Sequence, residues 1–451
     1  MSDLLSIGRS GVTAYRNALS TVGENVSNAE TEGYSRRTVT LKEVNASGSQ
    51  PLYKAATQFG GVSTASIQRA WDEFKATDAR TTASDDGRAD ARLRWLTTTE
   101  TALNDGAAGV GKQLTSVFTA ADALASDPSS GAARSNFLAA IDGAAGAMRT
   151  AADALGRAST GLSSEAVQTV DQLNANLASL SQVNASMVRL RPGTAAYATA
   201  ADERDRLVGQ VAAKIGVDVT IDAQGQANLT LAGSSATKLL DANQPAVLKV
   251  ATSSDGLLAL SIAGGAEGDK PIYPTSGALS GLIDVAATIA DRRQSLDVIA
   301  TQFAGEINDW QAAGLTDANA PGGDLVTLGT NGAASIKLAT TATTAGIAVA
   351  SADGTGNGNA LALGTLRTAT GVEKRWSTMV TGQAQSVASA KSEASAAAAR
   401  KDTAMAALDD VTGVDLDREA ADLLRFQQAY GASTKIIQVA RETLQSILDL
   451  I

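Results

Sequence analysis

The chain has no histidine and no cysteine in 451 residues. That removes Ser-His-Asp and Cys-His nucleophiles, zinc fingers, haem ligation by His or Cys, iron–sulfur clusters and any disulfide framework. Most enzyme mechanisms lose their usual base with it. Aromatic residues are also scarce, 4% of the chain against 44% hydrophobic overall. The apolar content is therefore mostly Ala, Leu, Val and Ile, which suits long helices packed side by side around thin cores. The seven prolines, Pro51, Pro128, Pro192, Pro245, Pro271, Pro274 and Pro321, leave both ends without a helix breaker. With Lys+Arg 37 against Asp+Glu 47 and a formal charge of -10, and no block of like charge, a nucleic-acid partner is disfavoured. No window approaches the roughly 18 consecutive apolar residues of a membrane helix. The opening MSDLLSIGRSGVTAYRN lacks the apolar stretch of a cleaved signal peptide, so the chain reads as soluble, with no membrane partner and no Sec-type signal. At about 150 residues per domain, its length suggests about three domains.

What is present at the ends is periodic. Leu5, Gly8, Val12, Tyr15, Leu19, Val22 and Val26 follow one another at steps of three and four, as do Leu423, Phe426, Tyr430, Ser433, Ile437, Ala440, Leu444, Ile447 and Ile451. Both are a/d heptad seams. One such stripe alone is more often the buried face of an ordinary globular helix, but two at opposite ends of the chain shift the reading towards paired seams. The first helix is intrinsically weak, because Gly8, Gly11 and Gly23 each cost about 1 kcal/mol relative to Ala. It requires a partner to stay folded.

Between the ends, a helical, Ala-rich pattern runs from about Ser66 to Ala213. It contains a further heptad stretch, Val170, Leu173, Leu177, Leu180, Asn184 and Met187, closed by Arg191-Pro192-Gly193. The period then changes to two. Val217, Val219 and Ile221, the turn Asp222–Gly225, and Ala227, Leu229 and Leu231 predict one hairpin. Leu248 and Val250, the turn Ser253–Gly256, and Leu258, Leu260 and Ile262 predict a second. Helical periodicity returns from about Ser280 to Ala313. A Gly/Thr/Ala-rich stretch of short strands or loops follows over residues 322–358, then helix to the end.

Two local motifs point weakly to chemistry. Gly106 to Lys112 matches G-x-x-x-x-G-K, but Gln113 stands where a phosphate-binding loop needs Ser or Thr, and no buried strand precedes it. Asp353 to Asn359 resembles a calcium loop, but its twelfth position is Gly364 instead of a bidentate Glu. The neighbouring carboxylates Asp85-Asp86, Asp202-Glu203 and Asp409-Asp410 do not face one another on a helix. Nothing singles out a catalytic, cofactor or metal site.

Four segments carry a family resemblance. Asn25-Val-Ser-Asn28-Ala-Glu-Thr31-Glu-Gly33-Tyr34 resembles the N-x-x-N-x-x-T-P-G-Y motif that follows the first helix of bacterial flagellar rod, hook and hook-associated proteins, with Glu32 in place of Pro. Gly413-Val-Asp-Leu-Asp-Arg-Glu419 through Tyr430 is similar to the C-terminal block of the hook-associated protein 1 family. Asp202-Glu-Arg-Asp205-Arg-Leu207 is similar to that family's D-x-R-D-x-L segment. Ala304-Gly-Glu-Ile-Asn308 with Gly314 is similar to its N-x-x-H-x-x-G stretch, with Gln311 in the His position. Larger relatives insert an outer domain after the position of Asp324-Leu325, so the resemblance implies a compact form.

The expected fold is mainly α: a discontinuous, elongated rod of terminal coiled-coil helices and a long-helix bundle, with a small inserted β-rich domain. The expected domains are a terminal coiled-coil segment (1–40 with 413–451), a helical domain (41–213 with 276–321 and 359–412) and a β-rich outer domain (214–275 with 322–358). The resemblance implies a structural, non-enzymatic protein at the hook–filament junction of the extracellular flagellum, secreted through the flagellar export channel. Implied partners are other copies in a ring, the hook protein, the next hook-associated protein towards the filament, and a cytoplasmic export chaperone docking on the Leu423–Ile451 stripe. Two alternatives stay open: a hook or distal-rod protein, and a secreted enzyme carried on flagellin-like termini.

Overall fold

The computed structural model describes residues 2–45, 59–265 and 268–449. Helix α1 (Ser2–Ser27) leads into an antiparallel hairpin, β1 (Arg37–Asn45) and β2 (Phe59–Arg69). Helices α2 (Glu73–Ala102), α3 (Val110–Ser126), α4 (Gly131–Met187) and α5 (Ala195–Lys214) follow. Strands β3 (Val217–Ile221), β4 (Ala227–Leu231), β5 (Ser234–Asp241) and β6 (Gln244–Pro245) form one antiparallel sheet in chain order. A second is formed by β7 (Leu248–Thr252), β8 (Leu258–Ile262) and β9 (Lys270–Ile272). The chain ends with α6 (Ala278–Ala313), α7 (Gly358–Ala362), α8 (Val372–Thr412) and α9 (Leu416–Leu448). With 63% helix and 14% strand, the fold is mainly α with small sheets, as expected. No helix among the described residues is long and apolar enough to cross a membrane.

Two compact units divide the chain: residues 1–85, 172–247 and 397–451, and residues 86–171 and 248–396. In the first unit α1 packs against α9 and against the β1–β2 hairpin. The partner that α1 requires is thus the other end of the same chain. Residues 41–45 and 59–69, expected within the helical domain, belong to this hairpin instead. Its alternation of Val39 and Leu41 with Thr38 and Thr40, rich in β-branched residues, favours a pleated strand.

The buried line of α1 is Gly11, Ala14, Ala18, Thr21 and Asn25, at steps of three and four. It is displaced by one residue from the expected Val12, Tyr15, Leu19, Val22 and Val26. Small side chains let the backbones approach. A Cβ on Gly8 would lie 2.6 Å from Ile437 Cγ1, and one on Gly11 would lie 2.5 Å from Ser433 Oγ. Of the large stripe residues, Val22 is buried, Val12, Tyr15 and Leu19 are half-buried, and Leu5 and Val26 are exposed.

The heptad stretch of α4 is buried from Val170 to Met187. Its polar member, Asn184, is enclosed, with Nδ2 donating to the carbonyls of Ala227 (2.8 Å) and Ala242 (2.6 Å) while Oδ1 accepts from Ala227 N–H (2.9 Å). A buried amide thereby ties the sheet to the helix where a leucine could give no register. Both predicted hairpins form, as β3–β4 and β7–β8, with Gly225 and Gly256 at positive φ (85° and 88°) in their turns.

The second unit is built on a core of α3, α4 and α6, with Trp376 and Met379 of α8. The stretch 322–358, expected beside the β strands of 214–275, packs here: Leu325, Val326, Ala333, Ile336, Ile347 and Val349 are all in this helical core. The expected single β-rich domain is therefore distributed: β3–β6 lie in the first unit, β7–β9 and residues 322–358 in the second. Short apolar patches separated by Gly and Thr form among themselves only a two-residue pairing of Val326–Thr327 with Lys337–Leu338, too small to stand alone, and bury their apolar side chains on helices.

The last turns of α6 hold that stretch through side chains. Asn308 accepts from Leu325 and Val326 N–H (3.0 Å each) and donates to the Val326 carbonyl (2.8 Å). Fully buried Gln311 accepts from Ala348 N–H (3.1 Å) and donates to the Gly346 carbonyl (2.6 Å). Trp310 Nε1 donates to the Asn359 carbonyl (2.6 Å), and Asn359 Nδ2 to the carbonyls of Trp310 and Ala348. Gly314 is required here because a Cβ would overlap Asn359 Nδ2.

Two glycines of α1 should respond oppositely to a side chain. Gly8→Val forces α1 off α9, an overpacking cost of about 1–3 kcal/mol. At Gly23 a Cβ meets nothing within 4 Å, so Gly23→Ala should stabilise by about 0.5–1 kcal/mol. Denaturant midpoints of the two variants, with protease cleavage within residues 2–27, measure both.

Candidate functional site

The sequence motifs meet at one place in the first unit: the exit of α1. There the chain must stop a helix, turn and enter β1 without exposing or orphaning polar backbone. Asn28 accepts from Thr31 Oγ1 (3.3 Å) and donates to the Glu24 carbonyl (2.8 Å), and Tyr34 N–H reaches the Thr31 carbonyl (3.1 Å). Gly33, at φ 80°, makes the sharp step.

Asn25 lies at the centre and is fully buried. Its Oδ1 accepts from the Tyr34 hydroxyl (2.8 Å) and from Arg37 N–H (3.0 Å). Its Nδ2 donates to the Arg37 carbonyl (2.8 Å) and to Glu419 Oε2 (2.9 Å). The amide thus pairs both backbone groups of Arg37 as a neighbouring strand would. Glu419, also fully buried, accepts Arg36 Nε on its other oxygen (2.7 Å). It projects from the first turn of α9, which Asp415 caps by accepting from Asp417 and Arg418 N–H (3.0 and 3.2 Å). Arg36 N–H also donates to the Thr412 carbonyl at the end of α8 (2.7 Å).

Beside this junction of Asn25, Tyr34, Arg36 and Glu419 lies a second charge cluster. Arg37 Nη2 donates to Asp202 (2.9 Å) and Thr199 (3.0 Å) of α5, and its guanidinium covers the Tyr34 ring at 4.9 Å. Arg69, at the end of β2, forms ion pairs with Asp202 and Asp205 at 2.8 Å, off the hydrogen-bond line. It stacks on Trp71 at 4.4 Å. Arg204 joins Asp205 to the Gly225 carbonyl (2.7 Å) in the β3–β4 turn. Burial raises Asp202 above the ordinary Asp value, outweighing the lowering effect of Arg69 and Arg37. Desolvation opposes the charge attraction here, as it does in buried ion pairs generally, so the cluster is weak evidence for added stability. Burial also pushes the Tyr34 phenol up to about 12, against the smaller lowering effect of Arg37.

The α1-exit motif, the D-x-R-D-x-L segment and the C-terminal block are therefore one structure, assembled from residues almost 400 positions apart (|i−j| of 394 for Asn25–Glu419). A model of the "Flagellar hook-associated protein FlgK helical domain" matches residues 96–326, half of the chain. The chain belongs to the flagellar hook-associated protein FlgK family. A second model, "Flagellar basal body rod FlgEFG protein C-terminal", matches residues 411–450. Flagellar hook-associated protein 1 of Bacillus subtilis is 25% identical over 99% of this chain and 97% of its own. That of Escherichia coli is 26% identical over 72% of this chain, which spans only 59% of its length. A solved structure, the flagellar hook junction protein FlgK from Burkholderia pseudomallei, aligns with 56% of this chain and 47% of its own at 20% identity. Its TM-score of 0.49 is too low to add to the argument.

The turn residues Asn25, Asn28, Thr31, Gly33 and Tyr34 all sit in this junction. On the stripe of α9, Leu423, Phe426, Tyr430 and Ile437 are half-buried, and Leu444 and Ile447 are exposed. Ile451 lies outside the described residues. Phe426 meets Tyr15 of α1 at 6.5 Å between ring centroids. The fully enclosed positions of α9 are Glu419, Ser433 and Ala440. Sequence reasoning missed Arg37 and Arg69 and gave Arg36 and Glu419 no role. The available signal was the position of Arg37 and Arg69 at the two ends of the β-branched stretch, where charge is buried only if paired.

The two chemistry-like motifs resolve as loops. In the Gly106–Lys112 loop, Gly111 N–H, which a phosphate would need, donates to Asp105 (2.8 Å). Asp353 accepts from Ser351 Oγ and Thr355 N–H, which hold its carboxyl below the ordinary Asp value. Among the described residues no cluster of acidic side chains has the spacing to hold a metal ion.

Removing one member of the buried Arg36–Glu419 pair strands the other. Glu419→Leu and Arg36→Met should each cost about 3–5 kcal/mol in denaturant unfolding, while the double variant should recover part of that loss. A double variant as unstable as the two losses added would show that the charges act independently.

Tyr34 supplies an alkaline signature. The folded state favours the neutral phenol, so its stabilisation is complete below pH 10.0 and is lost as pH rises towards 12. Tyr34→Phe should be less stable at neutral pH and should lose that part of the decline in stability between pH 10 and 12, read by unfolding at fixed pH.

Proposed function

We propose that the protein is a structural component of the hook–filament junction, adapting the hook lattice to the filament lattice as a ring of identical subunits. The observation that carries this reading is the buried Asn25–Tyr34–Glu419–Arg36 junction. It binds the first helix to the last and aligns both with α5, so the chain's two ends act as one rigid piece. Family membership, and relatives whose names are "Flagellar hook-associated protein 1", support the same reading. The chain works by packing and not by catalysis. Its partners are other copies of itself, the hook protein on one side and the next hook-associated protein on the other. It reaches the outside through the flagellar export channel.

The half-exposed large residues of the terminal helices, Val12, Tyr15 and Leu19 on α1 and Leu444 and Ile447 on α9, are the assembly seam between copies. Small residues having closed the contact within the subunit, the large ones remain for contacts outside it. Leu19→Asp or Leu444→Asp should abolish incorporation into flagella and cause unassembled later subunits to be shed, because a charge buried in an apolar interface costs several kcal/mol. Both variants should retain a folded second unit by circular dichroism. Normal swimming by both would remove the seam from the proposal.

Before export the same C-terminal stripe docks on a cytoplasmic chaperone as a helix in a groove, which prevents premature association. A chain ending at Val411 should lose chaperone capture in a pull-down. Undiminished capture would place the site elsewhere. The rod-type match over residues 411–450 keeps a rod or hook location as the second reading. Imaging of flagella from a strain lacking the protein separates the two: loss of filaments with intact hooks supports the junction, and loss of hooks supports the rod.

A further inference from the structure

Phe74, in the first turn of α2, is 84% exposed, far more than a Phe at a closed surface. Its N-terminal neighbours are committed elsewhere: Asp72 caps the helix by accepting from Phe74 and Lys75 N–H (2.9 and 3.1 Å), and Glu73 binds Trp71 and Arg80. The ring is held out to solvent by a well-formed helix start. Along the same face Thr77, Asp78, Thr81 and Asp85 are exposed.

In the first unit an apolar groove of about 390 Å³ opens between α2, α5 and α8. Its lining includes Ala79, Ala83, Gly209, Ala213, Met405 and Leu408. Met405 is 43% exposed, and a Cβ on Gly209 would meet nothing within 4 Å. The groove therefore has room for an inserted ring. Its charged lining is balanced, with Arg80, Arg206 and Lys401 set against Glu32, Asp205 and Asp409, and the face around Phe74 carries Lys75 and Asp78. Neither surface opposes the other by a single sign of charge.

The decisive relation is between the two surfaces. At 100° per residue, the groove positions of α2, Ala76, Ala79, Arg80 and Ala83, lie roughly 120–180° around the helix from Phe74. At 1.5 Å per residue they lie only about 3–14 Å further along it. Knob and socket are at one height on opposite sides of one helix. A self-complementary pair of patches arranged in this way cannot close as a twofold contact and generates a head-to-tail row or ring.

We propose that Phe74 of one copy inserts into the α2–α5–α8 groove of the next copy, forming the lateral contact of the ring. This rests on the reading of the protein as a ring-forming junction subunit and supplies a contact outside the terminal helices. A buried aromatic anchor of this kind has the character of an interface hot spot.

Because the chain has no cysteine, Asp78→Cys, one turn from Phe74 on the same exposed face, and Met405→Cys each introduce a single thiol and leave the Phe74 ring in place. The two variants, one carrying a mass tag, are mixed as concentrated full-length protein and are also co-expressed in flagellated cells. A short bis-maleimide then cross-links them. Unlike pairs should exceed either like pair by about tenfold, in solution or in isolated flagella, equivalent to about 1.4 kcal/mol of preference. Gly209→Trp, which fills the groove from a position with free space, should reduce the cross-link by the same factor without lowering the thermal midpoint. A predominance of product between two position-78 thiols, or no unlike product in either setting, would overturn the contact. If the variants are absent from the junction but cross-link in solution, the ring contact stands and the assigned location fails. If they are present at the junction without unlike product, the contact alone fails.

Discussion

A primary amide sealed from water has to find four hydrogen-bond partners at once, and Asn25 finds them in three separate parts of the chain: the turn, the first strand and the last long helix. Because an unpaired buried amide costs free energy comparable to a hydrogen bond for each group left unmet, the whole arrangement is all-or-none. If Glu419 is displaced, Asn25 loses a partner and Arg36 its counter-charge. If the turn is displaced, Tyr34 and both backbone groups of Arg37 go with it. The ends of the chain are therefore joined by a polar lock whose geometry tolerates little slippage, and the apolar contacts of the terminal helices are built outwards from it.

Those contacts divide the labour on α1 between two faces one residue apart. The small line Gly11, Ala14, Ala18 brings the helix close to its neighbours within the subunit, where dispersion over short distances replaces the area that larger side chains would supply. The larger line remains at the margins. A helix of this kind gains little from its own propensity, with three glycines, and much from being held at both faces.

The long-period features of the fold are legible in the sequence. The heptad stripe of α4, the stop at Arg191-Pro192-Gly193, both central hairpins with their glycine turns, and α6 appear where apolar spacing and turn residues put them. Those signals are local, and local sequence carries them. The position of the buried line of α1 was not legible, because hydrophobicity favours the bulky residues, whereas close helix approach favours the small ones beside them. The β1–β2 hairpin was obscured by Thr and Ser, which read as neither core nor turn. In the candidate site, Asn25, Tyr34, Asp202 and Glu419 stood within recognisable motifs, but their convergence depends on pairings across nearly the full chain, which no window can register. Arg37 and Arg69 lay outside every motif and acquire meaning only as counter-charges to Asp202 and Asp205.

Asn308, Gln311 and Asn359 hold the stretch after α6 by its main chain, at residues 325–326, 346 and 348. Bonds to peptide groups do not read side chains, so the exposed positions between those grips are free to change in composition and number while each grip stays closed and Ala333 and Ile336 stay in the core. The second unit therefore carries a splice point: a place where new chain can be added to the molecule without its core being renegotiated.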